Sequence, residues 1–454
     1  MISILTVLIL LFQQDIILAQ TIPKNNISYE SKILLYDAGL DWESLSNFSP
    51  IKYKINDKNY GAEFRYNGYV GVSNNLDNTS LFFYNRFVFK NYFYAFFQPV
   101  FNNQFIGSNY EPTIKSLNYV HKNIGGMGFQ NNWLSFQIGR DNENWAAGNN
   151  IELALSDNSG TYDYLQLASD YKKVRVKYIH GFLETKNEEI NRYVTARGIE
   201  WTNQKSFIIG LSEIVIYSGE NRSFDIGYLN PVSSHLEVEL NNRLNIIGDS
   251  NSNAVWQIHL DYLLNKRLRL SSNFLYDEYV IDKNIQKGKE HGRAFSTKIA
   301  YTPIITAKDL LTLYLKMLYI GTPTFRHAIG SNNFVQDNKP LGTKIGSDAI
   351  DNSFGINYYN RRDLIFSIYC GLLQYGEENI VSRAYEPYED YQKGRFPSGE
   401  ITYNYYLGTY FRYWHSAYLS MYSGFYLTKN TDNENIYSFH FGIEAIKPLS
   451  FEVR

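Results

Sequence analysis

The sequence predicts an all-β protein: a transmembrane antiparallel β-barrel of about 18 strands with a polar, partly plugged lumen. Three observations carry this. Apolar and polar residues alternate strictly in run after run, aromatic residues reach 17% while charged residues stand at 19%, and the N-terminal apolar stretch is too short to span a bilayer. A mean hydropathy of -0.34 fits a chain in which half of each strand faces water.

Taken in order, residues 1–19 read as a signal peptide. The apolar core runs from Ile4 to Phe12, and cleavage after Ala19 leaves Gln20 as the first mature residue. No Lys or Arg precedes that core, and a buried N-terminal strand or helix is the alternative reading. Residues 20–59 place Leu34, Leu35, Ala38, Leu40, Trp42, Leu45 and Phe48 at near-helical spacing, which suits a short plug, a periplasmic helix or a plain tail. Residues 60–454 are assigned to the barrel. Val174, Val176 and Tyr178 oppose Lys173, Arg175 and Lys177; Trp256, Ile258, Leu260 and Tyr262 oppose Gln257, His259 and Asp261. Tyr437, Phe439, Phe441 and Ile443 oppose Ser438, His440, Gly442 and Glu444, and Leu236, Val238 and Leu240 oppose His235, Glu237, Glu239 and Asn241. Period-2 patterns of this kind are strands with one apolar face.

Turn residues such as Leu264-Asn265-Lys266 punctuate the runs, and longer polar stretches lie at residues 282–292, 330–348 and 377–399. Short turns alternating with long loops fit the two ends of a barrel in a Gram-negative outer membrane. A soluble β-sandwich is the rival. It would need several domains to use this many strands, and the chain has no linker rich in Pro, Gly and Ser. Nowhere does an apolar run reach the ~18 residues of a membrane helix. A net charge of -2 gives no pull toward nucleic acid, and the single Cys370 leaves no disulfide framework or zinc-cysteine cluster.

For chemistry the sequence offers little. Gly248-Asp249-Ser250-Asn251 matches the nucleophile block of GDS-type esterases, but it sits between amphipathic strands, where a turn is the better reading. None of the 8 His has metal-ligand spacing, and no cofactor is expected. The charged residues Glu213, Glu220, Arg222, Asp225, Glu237, Glu239 and Arg243 crowd into one stretch. Buried charges demand partners, so these residues read first as a lumen network bracing the barrel. With Tyr217, Tyr228 and Asn230 as platforms and amides, they read second as a polysaccharide-contact surface. Tyr385, Tyr388 and Tyr391 among acidic residues form another such candidate.

The stretch from Ile138 to Asp282 carries Ile138-Gly139-Arg140-Asp141-Asn142-Glu143-Asn144-Trp145, then Leu153-Ala154-Leu155-Ser156-Asp157-Asn158, and later Gly227-Tyr228-Leu229-Asn230-Pro231. This text resembles the Wzi family of capsule-assembly outer-membrane proteins in its Bacteroidetes-type form. It departs from the family at Trp145-Ala146-Ala147-Gly148, where a Trp-Gly-Pro-Gly-like stretch is common. The resemblance implies a non-enzymatic barrel of about 18 strands that binds or organises capsular polysaccharide or exopolysaccharide at the cell surface. It also implies contact with outer-membrane lipid and with the barrel-assembly machinery. A porin-like channel for small solutes is the alternative.

Overall fold

The computed structural model describes residues 60–73, 77–90, 92–102, 124–157, 159–241, 252–277, 288–306, 308–360, 363–388, 394–416, 418–431 and 435–450. The segment at residues 1–59, Arg243 and the Gly248–Asn251 tetrapeptide lie outside them. The first strands are β1 (Tyr60–Ser73), β2 (Asp77–Phe89), β3 (Phe93–Gln98), β4 (Val100–Asn102), β5 (Ile124–Gln130), β6 (Leu134–Asp141) and β7 (Tyr162–Tyr171). Next come β8 (Val174–Phe182), β9 (Ile190–Thr202), β10 (Phe207–Glu220), β11 (Ser252–Asn265), β12 (Leu268–Tyr276), β13 (Arg293–Ile305) and β14 (Leu310–Ile320). A small hairpin, β15 (Val335–Gln336) and β16 (Lys339–Pro340), stands apart from the main sheet. The last are β17 (Ala349–Tyr359), β18 (Leu364–Tyr375), β19 (Thr402–Ser416), β20 (Leu419–Asn430) and β21 (Asn435–Ser450).

Nineteen strands share one sheet, each antiparallel to its neighbours. β3 and β4 both pair with β2 on either side of Pro99, so they are two pieces of one strand and the ring has 18 positions. Proline cannot donate to a ladder, which explains the break. β1 pairs with β2 and also with β21, from Gly61↔Ser450 to Ser73↔Ser438, so the ladder returns to where it began. Closure removes the two free edges that an open sheet would carry.

The two faces separate as the alternation predicted. Ile199, Leu211, Ile258, Ile299, Leu315 and Ile443 point outward and are exposed. Their strand neighbours Glu200, Ser212, Gln257, His259, Lys298 and Glu444 point inward and are buried. Exposed Trp133, Tyr171, Trp201, Tyr262, Tyr301 and Tyr418 gather at one rim; Phe182, Tyr276, Tyr405 and Tyr437 lie toward the other. Phe182 is the register partner of Tyr193, and Tyr193 and Trp201 stand eight positions apart on β9. That is about 26 Å of strand, the scale of a lipid-facing apolar band between aromatic girdles. Exposed Cys370 belongs to the same outward face.

Connections at the first rim are turns of two to four residues, at 90–92, 131–133, 172–173, 203–206, 266–267, 306–309, 360–363 and 417–418. Asparagines close several of them: the Asn203 side-chain oxygen accepts from the N–H groups of Lys205, Ser206 and Phe207, and Asn131 does the same for Trp133 and Leu134. The long connections leave the other rim, which is the extracellular arrangement of outer-membrane barrels.

Two of those long connections, residues 142–161 and 321–348, fold into the barrel and fill part of it. Trp145, Ile151, Leu153, Leu155, Phe325, Phe334, Val335, Leu341 and Ile345 pack in one core with inward Ile179, Val194, Ile214, Ile216, Val255, Leu275 and Leu318. The loops bond to each other as well: Thr343 N–H donates to Leu153 O at 3.0 Å and Ser156 N–H to Leu341 O at 2.9 Å. Gly342 sits where a side chain would strike the Leu153 carbonyl. The plug is therefore built from inter-strand loops and has an apolar centre, and residues 330–348, read in the sequence as a polar surface loop, are mostly buried. A second difference is local. Residues 235–241 are predicted as a strand, but 235–240 form a helix, capped by the Ser234 hydroxyl, which accepts the Glu237 N–H, a role that seven residues of alternation could not reveal.

Candidate functional site

The charged cluster predicted from the sequence is real but lies on the other side of the wall. On β10 the inward residues are Ser212, Ile214, Ile216 and Ser218; Glu213, Val215 and Tyr217 continue the outward face of Ile209 and Leu211. Their cross-strand partners on β9 are Arg197, Thr195 and Tyr193. These outward side chains are nevertheless buried, because the start of the β10–β11 connection turns back down the outer wall. It carries helices α1 (Ile226–Leu229) and α2 (His235–Leu240).

The polar groups of the wall and of this overlay satisfy each other. The Tyr178 hydroxyl donates to Tyr228 O at 2.8 Å, Tyr193 to Arg222 O at 2.8 Å, and Arg197 Nη1 to Asn230 O at 3.1 Å. Glu213 lies 3.3 Å from Arg197 Nε and 2.6 Å from His235 Nδ1, and it accepts the His235 backbone N–H. Tyr193, Tyr217 and Tyr228 stack with centroids 4.8 and 4.6 Å apart, and the Arg222 guanidinium sits 4.7 Å over Tyr217. Asp225 caps α1 through Gly227 N–H at 2.8 Å and lies 3.9 Å from Arg222. The overlay turns its own apolar residues outward: Phe224, Ile226, Val232 and Leu236 are exposed. Of the remaining predicted residues, Glu220 is exposed at the end of β10. Glu237 lies on α2 with its N–H on the Ser234 hydroxyl, and Glu239 lies on the same helix. The assignment of this cluster to the lumen is corrected. It is a covered patch of outer wall, and its tyrosine rings are stacked on one another rather than open to a sugar.

Tyr385 and Tyr388 are also engaged. Lys186 lies 3.5 Å and Arg192 5.1 Å from the Tyr385 ring, and Arg326 lies 4.7 Å from that of Tyr388. Tyr391 is outside the described residues.

Inside the barrel the plug is held by inward polar residues. Asn273 on β12 accepts Ala147 N–H at 2.9 Å and donates to Ala147 O and Ile151 O at 3.0 Å each. Gln257 donates to Trp145 O at 3.1 Å. Arg192 on β9 donates to Ser331 O, Asn333 O and Val335 O at 2.5, 2.9 and 3.0 Å. Lower in the lumen, charges come in buried pairs: Asp261 with Arg269 at 2.9 Å, Glu200 with His259 at 2.9 Å, and Glu444 with Arg412 at 3.1 Å.

The plug does not reach the wall everywhere. Between it and β13, β14, β17, β18, β19 and β20 lies a cavity of about 170 Å³. Asn150, Glu152, Thr343, Lys344 and Ile345 enter it from the plug loops. The wall supplies Lys298, Tyr314, Lys316, Asp351, Ser353, Tyr369, Tyr406 and Tyr426. Asp351 is bound by Lys316 at 2.7 Å and by the Tyr406 hydroxyl at 2.6 Å. Lys298 lies 4.3 Å over the Tyr314 ring. Burial, reinforced by the negative charge of Asp157, pushes the Glu152 carboxyl up to about 7. Burial and then the neighbouring Lys316 ammonium hold Lys344 below its ordinary value. Sequence reading missed this cavity because its residues come from eight separate segments, and nothing in their spacing announces that they meet.

An 18-position closed antiparallel sheet, girdled outside and charged inside, has known counterparts. The structure of Wzi, an outer-membrane protein involved in group 1 capsule assembly in Escherichia coli and described as a carbohydrate-binding β-barrel, matches with a TM-score of 0.59 at 11% identity, covering 86% of this chain and 85% of that one. A BenF-like porin from Pseudomonas fluorescens Pf-5 matches with a TM-score of 0.51 at 10% identity, over 87% of this chain and all of that one. OccK2 from Pseudomonas aeruginosa matches at 0.50 and 10% identity, over 88% and 100%. The chain is an outer-membrane-type β-barrel. No protein-family model matches it, and no curated protein does. At these identities the likeness is one of fold, shared by a capsule protein and by porins alike.

Proposed function

We propose that this barrel resides in the outer membrane of a Gram-negative bacterium and binds or organises capsular polysaccharide or exopolysaccharide at the cell surface, without catalysis. The observation that carries this reading is the plug. Loops 142–161 and 321–348 are locked into the lumen by an apolar core and by Asn273, Gln257 and Arg192, an arrangement that suits a braced surface protein better than an open pore. The likeness to a carbohydrate-binding barrel supports it. In this reading residues 1–19 direct export and are removed, and residues 20–59 lead into the barrel.

Deleting the gene and comparing cell-bound with shed polysaccharide is the test. The expected result is loss of polysaccharide from the cell surface into the medium, and unchanged retention sinks the reading. A porin-like channel is the second reading, favoured by the lysine-rich cavity beside the plug. It requires steady conductance from the purified protein in planar bilayers, where the polysaccharide reading expects electrical silence.

A further inference from the structure

The cavity beside the plug has an unbalanced charge. Asp351 is saturated by Lys316 and Tyr406, and Lys298 rests on the Tyr314 ring. Glu152, raised by burial, carries only part of a negative charge there near pH 7. Lys344 remains. Its side chain is surrounded by protein yet keeps accessible surface, because the space it enters is the cavity itself, and no carboxylate lies within ion-pair distance of it among the described residues. Three ammonium groups thus share one cavity with a single carboxylate that is already engaged and a second one that burial disfavours. An ammonium in such a space is stabilised by an anion that hydrogen-bonds to it.

The walls say what kind of anion. The space of about 170 Å³ is several times the ~30 Å³ share of a water molecule, the scale of one sugar ring. Tyr314, Tyr369, Tyr406 and Tyr426 line one side, with Tyr406 and Tyr426 stacked at 6.2 Å. Where these rings border the cavity they suit the apolar side of a pyranose, while Thr343 and Asn150 suit its hydroxyl edge. A bare phosphate would use the lysines and leave this surface idle.

We propose that the cavity binds a pyranose bearing one carboxylate, a hexuronate, with Lys344 as the primary contact and Lys298 as the second. The site itself does not depend on the function proposed above; only the source of the sugar, a unit of an acidic polymer rather than a free solute, rests on that reading.

The test is calorimetry on the purified barrel in detergent, its fold checked by heat-modifiable mobility, at fixed ionic strength. Glucuronate is expected to bind saturably and at least about tenfold more tightly than glucose, which lacks the charge-assisted contact, and than inorganic phosphate, which leaves the aromatic lining unused. Lys344→Met should weaken glucuronate about tenfold, and Lys344→Arg should restore much of it. The Met variant removes a charge crowded by Lys316, so loss of folding is not expected of it. Glucose or phosphate binding as well as glucuronate, or an unchanged Lys344→Met, overturns the site. Tetragalacturonate serves as the polymer arm. Its binding supports the polymer as source, whereas its exclusion, with monomer binding and Lys344 dependence intact, keeps the site and overturns the polymer source.

Discussion

The ion pair on the outer wall allows a sharp test of what the overlay does. Arg197 and Glu213 face each other across β9 and β10, and Arg197 lies midway along β9 between Tyr193, level with the outer aromatic girdle, and Trp201 in the inner one. That is the height of the hydrocarbon core, where an uncovered Arg on a barrel wall costs about 2–4 kcal/mol. Here Asn230 and His235 cover the pair, and both side chains are less than a tenth exposed, so water screens little of the interaction. Glu213→Leu deprives the Arg197 guanidinium of its carboxylate in that setting, and Arg197→Leu leaves the carboxylate held by His235 alone. Each should destabilise the barrel by about 3–5 kcal/mol. The double change to Leu removes both members of the pair and leaves the His235 N–H, its ring Nδ1 and the Asn230 C=O without these partners, at a cost of about 1–3 kcal/mol. Urea unfolding of the four proteins in lipid vesicles measures all of this in one cycle. If the double variant loses as much as the two single variants added together, the pair is not coupled and the argument fails.

Two further outcomes follow from the plug. Glu152 has its carboxyl raised to about 7, so the folded state holds a proton that the unfolded chain releases near pH 4.5; stability is fully present below that pH and falls as pH rises through about 7, by roughly 3 kcal/mol at most. Glu152→Gln should therefore stabilise the protein more at pH 8 than at pH 5, and a pH-independent difference between the two proteins in urea midpoint counts against the assignment. Asn273→Ala deletes the contacts to Ala147 and Ile151 and should loosen the plug by about 2–3 kcal/mol, read as intermittent channel openings in planar bilayers that the parent protein lacks.

Much of the fold was legible because a barrel strand has to advertise both of its environments. The alternation at 174–178, 256–262 and 437–444 named the strands, and each of those runs lies on a strand of the ring, β8, β11 and β21. The turns were legible through Asn265 and its kind, whose side chains replace the missing ladder partners. The plug was not legible as such. Residues 330–348 are rich in Asn, Gly, Lys and Asp, the composition of an exposed loop, and are mostly buried because Arg192 and Asn253 on the inner wall satisfy their backbone and Ser218 the Asn332 side chain. Polar composition tells that a segment needs hydrogen bonds; whether water or protein supplies them depends on residues far away in the chain.

The misplaced cluster shows the same limit in a sharper form. Alternation fixes that Glu213 and Ser212 are on opposite faces, but not which face looks into the lumen, and the usual inference that charge means lumen assumes that the outer wall meets only lipid. The segment at 221–241 breaks that assumption. It covers Arg197, Glu213, Tyr193 and Tyr217 and presents Phe224, Ile226, Val232 and Leu236 in their place. The local signals for it were present: the Ser234 hydroxyl caps α2 by accepting the N–H of Glu237, and Asp225 caps α1 through the N–H of Gly227. Helical caps inside an apparent strand run are hard to reconcile with a barrel wall. They fit a chain that has left the wall and must satisfy its own backbone while resting against the outside of the sheet. In such a chain the charged face turns toward the barrel, and the residues that meet lipid belong to the cover.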